Sequence, residues 1–76
     1  MRILFKLTGS KKIGFGHIRR SYALASYFYS YYSKIDIIFW IKSPDMEIVK
    51  KFIKKVEVID EKNCQFPICD FINQNF

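Results

Sequence analysis

The chain has 76 residues, of which 50% are hydrophobic and 18% aromatic, and its formal net charge is +6. This composition excludes a disordered tail and predicts one small packed domain. The apolar residues fall in separate blocks, all shorter than the ~18 to 20 consecutive residues of a membrane span, and the first block is too short for a signal peptide. We therefore expect a cytoplasmic protein with no membrane span.

The basic residues are spread along the chain and are not concentrated in one block. The lysine pairs at 50–51 and 54–55 fall on the outer side of a predicted helix, which favours a solvated face over a nucleic-acid patch. Cys64 and Cys69, with four residues between them, do not have zinc-site spacing, and His17 is the sole histidine. We expect two reduced thiols, no metal and no cofactor.

The apolar pattern predicts a first strand at residues 2–7, a loop that starts at Thr8, and a helix at about 17–32. On that helix one stripe recurs at steps of three and four, and Phe28 widens it: Ile18, Tyr22, Ala25, Tyr29 and Tyr32. The opposite side holds Arg19, Ala23, Ser26 and Ser30. We interpret the five tyrosines and Phe28 as core and partner-facing packing, and not as a platform for stacking bases.

A second strand is predicted at residues 35–41, because β-branched and aromatic side chains dominate that run. Ser43 or Asp45 is expected to cap the next helix, whose apolar positions are Met46, Val49, Phe52 and Ile53. A short third strand follows at 56–59. Residues 60–76 are predicted to be loop with a weak apolar segment around Ile68, Phe71 and Ile72.

The order β-α-β-α-β predicts an α/β fold, a Rossmann-like parallel sheet with helices in layers against it and strand order 3-2-1. The first strand then lies at an edge, although its composition is typical of a central strand. We expect the tail, an oligomer partner, a second polypeptide or a missing C-terminal domain to cover this edge. The chain is thus expected to be the first half of a larger domain.

Glycines separate the first strand from the first helix, which is the usual place for an α/β protein to hold an anionic ligand. Dinucleotide binding is excluded because Arg19 stands where the fingerprint needs a third small residue. The second strand ends in Lys42 and not in a ribose-binding acid, and no phosphate loop of the GK[ST] type is present.

The run Gly14-x-Gly16-His17-Ile18-x-Arg20-x-x-x-Leu24-Ala25 closely resembles the N-terminal motif of the UDP-sugar hydrolases of the pseudaminic acid pathway. Those enzymes release UDP from a diacetamido-trideoxy-altropyranose and have the two-domain GT-B fold of related nucleotide-sugar glycosyltransferases. The resemblance covers the first third of the chain, and beyond it only the order of strands and helices is shared.

The resemblance implies a role for each matching residue. His17 matches the histidine that activates water at the anomeric carbon, Gly14 and Gly16 match the loop glycines that admit the UDP-sugar, and Arg20 matches the motif arginine. Lys6 and Thr8 stand where the hydrolases usually carry arginine and aspartate, which leaves a glycosyltransferase relative open.

A reaction at the anomeric carbon is physically reasonable at this position. A neutral imidazole at a helix N-terminus can accept a proton from water or a hydroxyl group, while the helix amides face the diphosphate. GT-B enzymes react in a cleft between two domains, so we expect little hydrolysis by these residues alone. Two alternatives remain: a stand-alone α/β module that binds an anion or a partner protein, and a basic nucleic-acid-binding module.

Overall fold

The computed structural model describes residues 1–64 and 67–76 and confirms the α/β architecture. Its elements are β1 (Arg2–Thr8), α1 (Gly16–Tyr31), β2 (Asp36–Lys42), α2 (Met46–Phe52), β3 (Glu57–Asp60), a 3₁₀ turn (Glu61–Asn63) and α3 (Ile68–Asn75). All strand pairs are parallel in the order β1-β2-β3, so β1 lies at an edge as predicted. Among the described helices, none combines the length and apolar character needed to cross a membrane.

The sheet separates two packed layers, because side chains alternate between its faces along each strand. Phe5 and Phe39 are register partners on the face that carries α1 and α2, with their ring centroids 5.2 Å apart. Trp40 is fully buried on the other face, where the Phe71 ring of α3 packs against it at 5.0 Å. The result is a three-layer unit with β2 at its centre.

The prediction of a loop for residues 60–76 was wrong where α3 forms. Helix propensity is weak in this segment, and the helix is stabilised by the packing of Phe71 on Trp40 and on Phe76. Arg2 reaches the far end of α3, where its Nη1 donates to the Asn75 carbonyl at 2.9 Å. Gln65, which falls in the predicted loop, lies outside the described residues.

The aromatic stripe on α1 is only partly buried, so its prediction needs correction. Ile18 and Ala25 are buried, and Tyr22 and Phe28 are half-buried, as expected for a core stripe. Tyr29 and Tyr32, the other two tyrosines of the stripe, are exposed instead, and Tyr27 and Tyr31, which lie off the stripe, are exposed as well. The helix packs on one narrow sheet and has α2 on one side only, so there is too little surface to cover the remaining rings.

Candidate functional site

The loop between β1 and α1, residues 9–15, is a closed turn and is called the glycine loop below. Ser10 and Gly14 exchange two backbone hydrogen bonds, of 3.2 and 2.6 Å, and the Ser10 Oγ accepts from the Ile13 amide at 3.1 Å. Gly14 has a φ of +90°, which side-chain-bearing residues rarely adopt. Glycine at position 14 is therefore required by the turn itself.

Gly9 closes the base of this loop against the helix, a role that the spacing of the glycines in the sequence does not reveal. A Cβ atom added to Gly9 would lie 2.7 Å from Ile18 Cδ1 and 3.2 Å from the Gly14 carbonyl oxygen. Ile18 is fully buried and cannot move aside freely. The signal available in the sequence was a glycine directly after the first strand, a position where backbone and helix approach closely.

Asp45 ties the glycine loop to the end of β2. It stands at the N-cap position of α2, but its side chain makes no capping hydrogen bond. Its Oδ2 accepts from the Lys11 amide at 2.8 Å, and the Ser43 Oγ accepts from the Asp45 amide at 3.0 Å. The expected capping role of Ser43 or Asp45 is thus replaced by a contact that holds the loop at the carboxyl edge of the sheet.

The first turn of α1 begins at Gly16 without a side-chain cap. Phe15 occupies the N-cap position, and no acidic residue lies in the first turn. The amides at the start of a helix have no acceptor within the helix, so they face outward as hydrogen-bond donors. Lys11 and Lys12 are exposed on the adjoining loop. This end of α1 is therefore electropositive and suited to an anion.

His17 and Arg20 lie together on this turn, since residues three apart share a helix face. Both are exposed, and within the part of the chain that the structure describes neither side chain forms a hydrogen bond or an ion pair. A Cβ atom at Gly16 would stand 3.5 Å from Arg20 Nη1, so the guanidinium folds back over the start of the helix. The structure thus brings all four predicted site residues to one end of α1.

The Arg19 side chain points away from this turn and toward α2. The residue that breaks the dinucleotide fingerprint therefore has a structural role. Its guanidinium carbon lies 4.3 Å from the centroid of the Phe52 ring on α2, within the range of a cation–π contact. Phe15 packs on the same ring at 6.0 Å. The two neighbouring arginines therefore have different roles. Arg19 joins the two helices, and Arg20 remains at the open end of α1.

Lys6 and Thr8 occupy the face of β1 that is turned away from α1. Their register partners are Trp40 and Lys42, and Trp40 packs under α3. Both side chains are exposed. Within residues 1–64 and 67–76, no three His, Cys, Asp or Glu side chains gather as a metal site would require.

A second surface of α1 carries exposed apolar side chains. We define the tyrosine face as Leu24, Tyr27 and Tyr31, which are 46%, 56% and 69% exposed. The rings of Tyr27 and Tyr31 lie with centroids 4.7 Å apart. The Tyr31 hydroxyl, together with desolvation, raises the pKa of Tyr27 above its ordinary value.

Comparison of this chain with protein-family models, with curated proteins and with solved structures finds no match.

Proposed function

We propose that this chain is the N-terminal unit of a UDP-sugar hydrolase- or glycosyltransferase-like protein that acts at the anomeric carbon of a nucleotide-activated amino sugar. The observation that supports the proposal is the uncapped first turn of α1, which follows a glycine loop at the carboxyl edge of a parallel sheet and carries His17 and Arg20. Ligands of open α/β sheets bind at this edge. The function would belong to cell-surface glycan synthesis.

The proposed chemistry assigns a proton acceptor and an anion site to the same turn. A water oxygen attacks the anomeric carbon, His17 takes the proton from that water, and the bond to the diphosphate breaks to release UDP. In the glycosyltransferase version, a sugar hydroxyl replaces the water. The first amides of α1 and the Arg20 guanidinium receive the negative charge of the leaving diphosphate.

We expect these residues to bind the nucleotide sugar and to turn it over slowly or not at all by themselves. His17, Arg20 and Gly16 are exposed, and none of them is enclosed by another part of the described residues that could exclude water from a bound sugar. Efficient catalysis needs a held and enclosed reactant. The residues that enclose the sugar from the other side would come from another domain or another polypeptide.

The test is an amide NMR titration of the chain with UDP-N-acetylglucosamine, followed by an assay of UDP release. We expect shifts confined to the amides of Gly14 through Ile18 and a dissociation constant of roughly 1 mM, typical of a weak single-wall site. Arg20→Ala should weaken binding about tenfold, the size of one charge-assisted contact. Arg2→Ala removes the same charge at the amino end of β1, the end of the strand away from the glycine loop; it loses the hydrogen bond to the Asn75 carbonyl but should bind the nucleotide sugar normally.

Absence of shifts in the glycine loop and the first turn of α1 would refute the proposal. Turnover that His17→Asn abolishes would instead show that the isolated chain is a working hydrolase, against our expectation. The same titration with inorganic pyrophosphate distinguishes the proposal from the main alternative, a general anion-binding module. Such a module would bind pyrophosphate as tightly as UDP-N-acetylglucosamine, because the helix amides recognise only the phosphate groups.

A further inference from the structure

A groove of about 320 Å³ lies between α1 and the segment that joins α2 to β3. We call it the lysine groove, and its lining residues are Tyr22, Ser26, Tyr29, Lys54, Lys55 and Val56. Its volume falls within the range of small-molecule sites, roughly 300 to 1,000 Å³.

The lysine groove is separate from the glycine loop. Lys54 and Lys55 precede β3 and therefore lie at the amino edge of the sheet, whereas the glycine loop lies at the carboxyl edge. Along the axis of α1, Tyr29 and Gly16 are about 20 Å apart, because the helix rises about 1.5 Å per residue. A ligand in one site does not reach the other.

We propose that the lysine groove binds a small aromatic phosphate, such as a nucleoside monophosphate. The phosphate group contacts the two lysines, and the aromatic ring lies against Tyr29. The proposal is independent of nucleotide-sugar chemistry at the first turn of α1, because no residue of the groove belongs to that turn or to the glycine loop.

The charge of the groove has one sign. Lys54 and Lys55 are exposed, and within residues 1–64 and 67–76 neither ammonium group forms a hydrogen bond or an ion pair. No aspartate or glutamate is among the lining residues. The sequence predicted these lysines on a helix, but α2 ends at Phe52, and both lie beyond it. Two adjacent cations without carboxylate partners attract an anion, and a phosphate accepts charge-assisted hydrogen bonds from both.

The backbone of Lys55 is strained, with a φ of +66°, and among the described residues no other side-chain-bearing residue has a positive φ. Glycine fits this conformation best, so the lysine is explained by its side chain and not by its backbone. Strained residues of this kind concentrate at functional sites. The Tyr22 hydroxyl holds the turn, since it donates to the Lys54 carbonyl at 2.9 Å and accepts from the Lys54 amide at 3.2 Å. The segment that carries both lysines is thus fixed to α1 before a ligand binds.

The other side of the groove offers an aromatic surface. Tyr29 is 38% exposed, and Tyr22 and Val56 beside it are half-buried. A planar base stacks on an exposed ring of this kind. The Ser26 Oγ donates to the Tyr22 carbonyl at 3.0 Å, and its lone pairs can still accept from a ligand hydroxyl group. A bare phosphate would leave the aromatic surface uncovered, and an uncharged nucleoside would leave the lysines without an anion.

The experiment is an amide NMR titration of the chain with adenosine monophosphate, with adenosine and with inorganic phosphate. We expect the monophosphate to shift the amides of Ser26, Tyr29, Lys55 and Val56 with a dissociation constant of roughly 1 mM. Adenosine and inorganic phosphate should each bind at least fivefold more weakly, roughly the loss of one stacking or charged contact. Added salt should weaken the binding of the monophosphate, because the lysines are exposed.

Lys55→Gly separates a binding role from a structural one. It removes the charge and relieves the positive φ, so binding of adenosine monophosphate should weaken about tenfold while the urea midpoint stays the same or rises. Lys62→Gln is the matched control, because it removes the same charge beyond the carboxyl end of β3 and should leave binding unchanged. Tyr29→Ala should weaken the binding of the monophosphate but not that of inorganic phosphate.

Four results overturn the proposal. The first is the absence of shifts in the groove amides at about 10 mM adenosine monophosphate. The second is inorganic phosphate that binds as tightly as the monophosphate, since the ring then contributes nothing. The third is Lys55→Gly that binds like the parent, or Lys62→Gln that loses as much. The fourth is a set of shifts confined to Gly14 through Ile18, a result that would leave the proposed function of the glycine loop standing.

Discussion

The three glycines of the site region have three different physical roles. Gly14 supplies a positive φ, Gly9 lets the end of β1 lie against Ile18, and Gly16 opens α1 beside the Arg20 guanidinium. Only the first two are required by the fold. At the scale of single residues, sequence spacing found Gly14 and Gly16 but not Gly9, because the tight contact is with a residue nine positions away.

Gly9→Ala should destabilise the chain by about 1 to 3 kcal/mol, the usual cost of overpacking, because the new Cβ would press on buried Ile18 and on the Gly14 carbonyl. Urea unfolding followed by the fluorescence of Trp40 measures the change. Gly16→Ala is the matched control and should be neutral or slightly stabilising, because its Cβ has an ordinary 3.5 Å contact. Equal stabilities for the two variants would contradict the assigned role of Gly9.

At the scale of elements, the connections between helices and loops depend on a few polar contacts. The Tyr22 hydroxyl donates to the Lys54 carbonyl at 2.9 Å and accepts from the Lys54 amide at 3.2 Å, which ties α1 to the segment between α2 and β3. The Asp45 carboxylate likewise ties the end of β2 to the glycine loop, by accepting a hydrogen bond from the Lys11 amide. Periodicity predicted the elements themselves, but a hydroxyl or carboxylate in a sequence does not indicate which distant backbone group it will bind.

Tyr22→Phe should lower the free energy of unfolding by about 1 kcal/mol, since it removes both hydrogen bonds while water still reaches the Lys54 backbone. Amide exchange at Lys54 should quicken in parallel. Tyr29→Phe deletes a hydroxyl that makes no hydrogen bond within residues 1–64 and 67–76, and its stability should equal that of the parent. An equal loss of unfolding free energy in Tyr22→Phe and Tyr29→Phe would contradict the assigned role of the two hydrogen bonds, because only Tyr22→Phe removes them.

At the scale of the whole molecule, charge is the dominant imbalance. Thirteen basic residues face seven acidic ones, and among the described residues one ion pair forms, between Arg2 and Asp36 at 3.7 Å, with both side chains exposed. Exposed pairs contribute little to stability. Self-repulsion therefore opposes the compact state of a chain that is already small.

Added salt should raise the thermal midpoint of the chain by several degrees, because it screens repulsion within the monomer. Circular dichroism at a low protein concentration measures this effect. Lys34→Glu reverses one exposed charge outside the helices and strands and should show a smaller salt response than the parent. A midpoint that falls with salt would mean that attractive pairs outweigh the net charge.

The sequence by itself determined the order of strands and helices, the parallel sheet with β1 at its edge, and the glycine loop before α1. These features follow from local periodicity and from the rule that a helix crosses over between parallel strands. The glycine loop and the first turn of α1 are recognisable for the same reason: Gly14, Gly16, His17 and Arg20 are close in the chain. What they bind stays a prediction.

Only the tertiary structure decided what lies across space from each residue. Packing on Trp40 makes a helix of the weakly helical α3, and the Lys11 amide draws Asp45 away from capping α2. The narrow sheet leaves Tyr29 and Tyr32 exposed, although both lie on the predicted apolar stripe of α1. Each outcome depends on contacts between residues far apart in sequence, and local pattern carries no information about the partner.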